Sequence, residues 1–532
     1  MPELAKAKAP VGESALPRQD TPLYNDDLAP VPQSRRKWRL GSFAALWISM
    51  SACIPTYMLA SSLISGGMNW WQAILTIFVG NVIVLIPMIL NAHAGTAYGI
   101  PFPVFCRASF GTVGANVPAL LRAFVACGWF GIQTWIGGTA IYKILAVFFP
   151  SLADPGAATA FGVTLPQFAC FLFFWGINMG VIYAGIDCIR WLLNIKAPLL
   201  IALGLALVWW ACREAGGFGP ILSQPSVFDV DQPREGQFWQ FFFPALTGIV
   251  GYWATLSLNI PDFSRYAVSQ RDQMVGQALG LPLTMALYSF IGVAVTSATT
   301  ILYGKPLWDP VDVMTQFKNP VVLIVAMLAI CLATLATNIA ANVVSPANDF
   351  ANLAPKWISF RIGGFITGLI GILIMPWHLM ADSERYINGW LIGYGALLGP
   401  IGGIMIADYY VNRRRKLNVA ALYDPRGEFR YTWGVSIVAL VALVMAVLPN
   451  LPGFLTQAQL IHRDRLPDLA SRLNNILGTP LFVPDEFASF FTGLYNYAWF
   501  VGFGIAFVVY LALRNWDVLR GRNRKGKVDH SP

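Results

Sequence analysis

Charge is what this chain lacks first. Asp, Glu, Lys and Arg make up 12% of its 532 residues, about half the share of an ordinary soluble protein. Too little polar surface remains to build a water-facing shell at this length. Cysteine is also scarce: seven residues, mostly within or beside apolar runs, with no CxxC pair. They read as small buried side chains rather than as disulfide or metal frameworks. The four histidines, His93, His378, His462 and His530, are far apart and form no HExxH. A Walker loop is absent too, which argues against ATP-driven transport. No catalytic residue, no cofactor and no metal beyond a coupling sodium is expected, so the chain does not read as an enzyme. Residues 1–34 are rich in Pro and charge and carry no apolar h-region, so they are expected to be a disordered tail rather than a signal peptide.

What is present is apolar. Hydrophobic residues reach 56%, and runs of around 20 recur from Gly41 to Leu513, the length that crosses a hydrocarbon core of about 30 Å. Lipid offers backbone groups no partners, so such runs must be helices. The expected fold is an all-α membrane protein with about twelve transmembrane helices. The formal charge of +9 lies in clusters: Arg35, Arg36, Lys37 and Arg39; Arg413 to Lys416; and Arg514 to Lys527. The loop Ser151–Thr164 has no Lys or Arg. The positive-inside rule then puts both termini in the cytoplasm, in a multi-pass protein of the cytoplasmic (inner) membrane. No basic stripe interleaved with aromatics points to nucleic acid. Lys196 and Arg122 fall near cytoplasmic helix ends, where snorkelling accounts for them.

The first and sixth spans are each interrupted by an Ile-Pro pair: Cys53-Ile54-Pro55-Thr56 and Asn259-Ile260-Pro261-Asp262. Proline removes a donor and clashes with the preceding turn. Helices broken at matching places in two halves point to a binding site at mid-membrane. The prolines are offset by 261 − 55 = 206 residues, and the polar clusters at Gln133 and Asn338 by 338 − 133 = 205. Two similar offsets indicate a 5+5 inverted repeat plus two extra helices. The expected division is a tail 1–40, a transport core 41–407 with repeats 41–213 and 238–407, and a basic loop 408–431. Two additional helices follow over 432–513, with a long external loop 451–488, and then a tail 514–532.

The central parts of the spans hold almost no Asp or Glu, so the cargo is expected to be neutral. Amides and indoles remain. Trp129 and Gln133 share a helix face at a spacing of four, as do Asn338 and Asn342. A primary amide offers an acceptor beside donors, which suits the –NH–C(=O)– edge of a ring. Indole faces stack on flat rings, and Trp253 is placed to supply the opposite face. Each amide alone serves equally well as glue between helices packed on small residues. The set, together with two broken helices, favours a binding site. Broken helices also free carbonyls for a cation: Ser49 and Ala52 lie before the first break, and the Thr337 hydroxyl completes a cage or bonds its own helix.

At these residues the sequence resembles the nucleobase:cation symporters of the purine-cytosine permease family, particularly allantoin, hydantoin and uracil carriers. The likeness is carried by Tyr24–Leu28, Asn91-Ala92-His93-Ala94-Gly95, Trp129–Trp135, Asn259–Tyr266, Thr337–Pro346 and Asp408-Tyr409-Tyr410. It implies the LeuT-like inverted-repeat fold and alternating access. It also implies a ring stacked between Trp129 and Trp253, held by Gln133 and Asn342, with Asn338 nearby. The family's sodium cage maps to main-chain oxygens of Ser49, Ala52 and Ala333 and to the Thr337 hydroxyl, and its external gate to Trp390 and Leu391. Three positions depart from the hydantoin carrier. Ala336 replaces a serine ligand of sodium, Cys53 replaces a glutamine, and Tyr252 replaces a glycine. The coupling ion is therefore left open between Na⁺ and H⁺. The reading is a symporter importing a small neutral heterocycle. A zwitterion-binding amino-acid carrier of the same fold is one rival, and a membrane sensor that binds the ring without moving it is another. The bilayer and the cargo are the expected partners; oligomeric state stays open, a single copy being sufficient.

Overall fold

The computed structural model describes residues 19–153, 158–184, 186–457 and 484–515. The outer part of each tail and the centre of the long loop 451–488 lie outside the described residues. The first span is broken, as the proline indicated: α1 (Leu40–Ser51) and α2 (Ile54–Ser65) meet at 60°. The break itself is Ala52–Cys53. Pro55 occupies the first turn of α2, where a missing N–H has no helical partner to lose.

Next come α3 (Trp70–Tyr98), the short α4 (Phe102–Phe110) and α5 (Asn116–Phe148). An Asn69–Gln72 capping box starts α3, and Gly99, with φ 72°, ends it; only glycine takes that backbone without strain. After α6 (Leu165–Ala184) and α7 (Ile186–Glu214), a second broken unit follows: α8 (Phe238–Tyr252) and α9 (Ala254–Asn259). Then run α10 (Gln270–Tyr303), the short α11 (Pro310–Met314) and α12 (Pro320–Asn342). The order broken pair, long helix, short helix, long helix thus occurs twice, at α1–α5 and α8–α12. The chain closes with α13 (Val344–Leu353), α14 (Phe360–Leu373), α15 (Ile392–Ile406), α16 (Ile437–Val447) and α17 (Ala498–Arg514). Single π-helical stretches flank α15, at Arg385–Leu391 and Ala407–Asn412.

Three sequence expectations need correction. The second break falls at Trp253, ahead of Ile260-Pro261, and no proline causes it; that pair instead opens the short helix Pro261–Ser264. Arg122 does not snorkel: it is fully buried and paired with Asp349 Oδ2 at 3.1 Å. The stretch from 451 is not loop at its start, because Leu451–Gln457 continues as helix. The Lys196 side chain lies outside the described set. By length and apolarity, seven described helices can cross a membrane, or nine counting two bent pairs. Of the twelve expected spans, the region of α7, the α8/α9 pair and the 14-residue α14 fall outside that test. A single ladder, Thr159–Ala160 on Val163–Thr164, is the only strand pairing named among the described residues.

Packing divides the helices into two bodies. One gathers α10 against α3, α1 and α2; the other pairs α5 with α12 and with α6, α13 and α14. Small residues allow the closest approaches: a Cβ on Gly131 would lie 2.5 Å from Gly371 O, and one on Gly280 would lie 2.9 Å from the Trp47 Cβ. Helices in lipid associate through such close contact rather than through hydrophobic exclusion.

Candidate binding slot

Both breaks and the middle of α5 converge on one aromatic cluster. Trp129 of α5 meets Tyr252 edge-on, with centroids 5.4 Å apart at 81°. Trp253, in the second break, meets Tyr252 at 4.9 Å and 89° and Trp47 of α1 at 5.1 Å and 89°. Tyr252 therefore stands between the two indoles expected to sandwich a ring. Its hydroxyl lies 3.0 Å from Thr56 Oγ1 and 3.3 Å from Cys53 Sγ, which are 3.2 Å from each other. The two departures Cys53 and Tyr252 thus meet at one point, across the two breaks.

The amides separate by how their atoms are used. The Asn338 Nδ2 group lies 3.2 Å from Phe130 O, 3.1 Å from Thr134 Oγ1 and 3.1 Å from Asn178 Oδ1. Its Oδ1 accepts from Asn342 Nδ2 at 3.0 Å. Asn338 is thus spent on joining α12 to α5 and α6 and on orienting Asn342; it has no amide left for a ligand. Gln133 is the opposite case: buried, with Oε1 unpartnered. Trp253 Nε1, Trp390 Nε1, Tyr394 Oη and Ser51 Oγ are buried and unpartnered as well. Such atoms are few in a native structure, and each asks for a reason. Of these, Trp253, Trp390 and Tyr394 belong to the aromatic cluster around Trp129.

Trp129 is also covered by an aromatic lid. Tyr386, Trp390 and Tyr394 contact the Trp129 ring at 6.2, 6.0 and 6.3 Å. Their spacing of four puts them on one helix face, a stripe the sequence displayed but that went unread beyond Trp390. Tyr386 Oη donates to Pro55 O at 3.4 Å, at the start of α2. Trp390 rests on Gly128, where a Cβ would come within 2.2 Å of its ring, and Leu391 O rests on Gly251, where a Cβ would come within 2.5 Å. The π-helical stretch carrying Tyr386, Trp390 and Leu391 leaves a cavity of about 670 Å³ behind it, walled by Phe124, Val125, Trp390, Tyr394 and Phe454. π-Bulges of this kind recur at functional places.

Of the cation positions, Ala333, Ala336 and Thr337 lie on α12, and Ser49 and Ala52 at the end of α1. α12 meets the first broken unit through α2. Thr337 Oγ1 donates to Ala333 O at 2.8 Å, so its lone pairs stay open while its proton is bound. Ala336 brings no side-chain oxygen. The buried, idle hydroxyl of Ser51 was not singled out from sequence; nothing but its place before the break marks it.

Residues 30–502 match the family model described as permease for cytosine/purines, uracil, thiamine, allantoin. The purine-uracil permease of Arabidopsis thaliana is 47% identical over 438 residues, 82% of this chain and 72% of its own. The allantoin permease of Bacillus subtilis is 39% identical over 497 residues, 93% of this chain and 94% of its own. Among solved structures, the inward-facing conformation of Mhp1 superposes with a TM-score of 0.72 at 25% identity, covering 94% of this chain and 95% of that one. A closed conformation of the same nucleobase-cation-symport-1 transporter, with bromovinylhydantoin bound, gives 0.71 at 24%, covering 94% and 96%. A twice-repeated broken-helix fold, a buried indole-amide slot and a family match over most of its length agree: the chain belongs to the family of permeases for cytosine/purines, uracil, thiamine and allantoin.

Proposed function

We propose that this permease imports a small, neutral, planar nitrogen heterocycle such as allantoin, uracil or hydantoin, by cation symport and alternating access. The observation that carries this is the Gln133 amide. It is buried with its oxygen idle, one turn along α5 from the Trp129 indole, among other unpartnered donors. An idle buried amide costs about 1–3 kcal/mol, a cost that a ring edge carrying one donor and one acceptor removes. No carboxylate or guanidinium contacts Gln133, Trp129 or Trp253 in any described ion pair or hydrogen bond, which fits an uncharged cargo. Tyr252 fills the space between the indoles, so the cargo displaces its ring on entry and must be slim. The relatives named above are permeases for purine-uracil and for allantoin, in keeping with this class.

In this reading both termini are cytoplasmic and the membrane is the inner one. The aromatic lid is the outer gate, with Trp390 and Leu391 at its moving edge and the cavity behind it as room to swing. Asn342, oriented by Asn338, is the second amide of the slot. Residues 41–213 and 238–407 form the two repeats. For the coupling ion, main-chain oxygens of Ser49, Ala52 and Ala333 and the Thr337 hydroxyl fit a hard cation, which takes oxygen ligands. The chain lacks the serine at Ala336, while Thr334 and Ser51 carry buried, idle hydroxyls.

Reconstitution tests this. Purified protein in liposomes should accumulate radiolabelled allantoin or uracil under an imposed gradient, with Na⁺ and pH gradients applied separately. Binding without accumulation would make the protein a sensor; competition by amino acids but not by ureides would make it a carrier of zwitterions.

A further inference from the structure

Behind the aromatic lid, the cavity of about 670 Å³ adjoins a second one of about 160 Å³, and Arg385 and Gln457 line both. The two differ in chemistry. The larger is walled by Phe124, Val125, Ile374, Leu397, Val447 and Phe454, the smaller by Asp382, Glu384, Asn388 and Thr456. The polar cavity sits where the π-helical stretch Arg385–Leu391 begins, and the apolar one follows the chain from there to Leu397 on α15. Those 397 − 385 = 12 residues rise about 18 Å, close to half of a hydrocarbon core about 30 Å thick. Tyr394, which touches Trp129 of the slot, also lines the apolar cavity. Phe124 on its wall is 52% exposed, so the trough is open along that side. Together the cavities have the outline of an amphiphile one leaflet long.

The polar end carries both signs of charge. Asp382 Oδ2 lies 3.3 Å from Arg385 Nε, and Asp382 Oδ1 accepts from Arg385 N at 2.8 Å. A guanidinium has five donors, enough for Asp382 and a phosphate together, and its planar fork suits phosphate oxygens. Glu384 pairs with no cation among the described residues. A carboxylate beside the phosphate position disfavours a purely anionic head and favours one that also brings a cation. The charge pattern is complementary to a zwitterion, and the trough beyond it to hydrocarbon.

We propose that the paired cavities seat one outer-leaflet phospholipid with an ammonium head, a phosphatidylethanolamine. Its phosphate lies on Arg385, its ammonium on Glu384 and one acyl chain in the trough behind Trp390. The chain is held by no hydrogen bond along its length, so it yields when the lid swings. The outer leaflet and the lid's motion rest on the transport reading; the binding does not, and it is measured without cargo. Parent and variants are placed in nanodiscs of equal dioleoyl phosphatidylethanolamine and dioleoyl phosphatidylcholine, re-extracted in mild detergent, and their retained lipid is counted by native mass spectrometry. The parent should keep one ethanolamine lipid per chain in preference to the choline lipid, whose methylated head donates no hydrogen bond. Arg385→Gln should cut that retention about ten-fold. Gly389→Phe should abolish it at an unchanged melting temperature: Gly389 lines the trough, and a Cβ there meets nothing within 4 Å. Equal retention of the two lipids, or parental retention in both variants, leaves only an unselective lipid shell and overturns the proposal. So does a photoreactive benzoyl-phenylalanine at Val447 that crosslinks to residues 458–483 of the chain and not to lipid. Failed uptake with the lipid retained would count against the cargo reading alone.

Discussion

The seam around Asn338 and the slot around Gln133 both border α5, yet they use the same chemistry in opposite ways. At the seam every arm of the amide is taken by α5, α6 or its own helix. At the slot the amide oxygen is buried with nothing to accept. A side-chain amide inside a membrane is glue when saturated and a receptor when held idle, because only a ligand then removes its desolvation cost. The difference lies in what surrounds the two: Thr134 and Asn178 around one, indoles and a tyrosine ring around the other. The same contrast separates the buried Arg122–Asp349 ion pair, where charges are matched, from the aromatic lid, where edges meet edges.

Substitution can break this comparison, and the largest effect is expected among the saturated groups. Arg122→Ala leaves Asp349 buried without its cation, at a cost of about 3–5 kcal/mol. Detergent-purified protein should show a sharply lower yield of folded monomer and a much reduced melting temperature. Parent-like melting would mean the pair is not the structural tie described here. Asn338→Ala should cost about 1–3 kcal/mol by stranding Asn178 and Asn342, lowering the melting temperature without added cargo. If it lowers only affinity, Asn338 belongs with the slot.

A smaller effect, outside the membrane, is set by pH. Asp309, half-buried at the head of α11, has its carboxyl pushed up to about 7 by loss of water and by the neighbouring charge of Asp312. The folded form therefore holds this proton more tightly than the unfolded chain. Its contribution is full below the ordinary carboxyl range and is lost as pH rises toward 7. Melting curves should show this fall, and Asp309→Asn, which keeps the cap on Val311 N (2.8 Å in the parent), should flatten it. An equal slope in the variant would place the titrating group elsewhere.

Much of this was legible in the sequence because lipid restricts the options. Sparse charge and repeated apolar runs left only helices. Pro55 signalled the first break, and the matching offsets of two polar clusters signalled the repeat. Trp129 and Gln133 could be paired by helical spacing alone. The second break was misplaced because Pro261 sits in the first turn of a short helix, where proline is tolerated, whereas Trp253 interrupts its helix with no compositional mark. Arg122 was misread because its partner Asp349 is 227 residues away, and nothing local shows a charge that is met only after folding. The split between Asn338 and Gln133 was invisible for the same reason: an amide's partners come from other helices. The lid was within reach, since Tyr386, Trp390 and Tyr394 recur at one helical interval.

The most direct measurement is a calorimetric titration of uracil and of allantoin into the parent and into Gln133→Ala. The account predicts that the alanine variant melts no lower than the parent, since no protein contact to the idle oxygen is lost and its unmet desolvation cost goes with the amide, and that whichever ligand the parent binds is weakened about ten-fold or more. Parental affinity in the variant, or a collapse in its stability without ligand, would contradict the claim that Gln133 waits for a cargo.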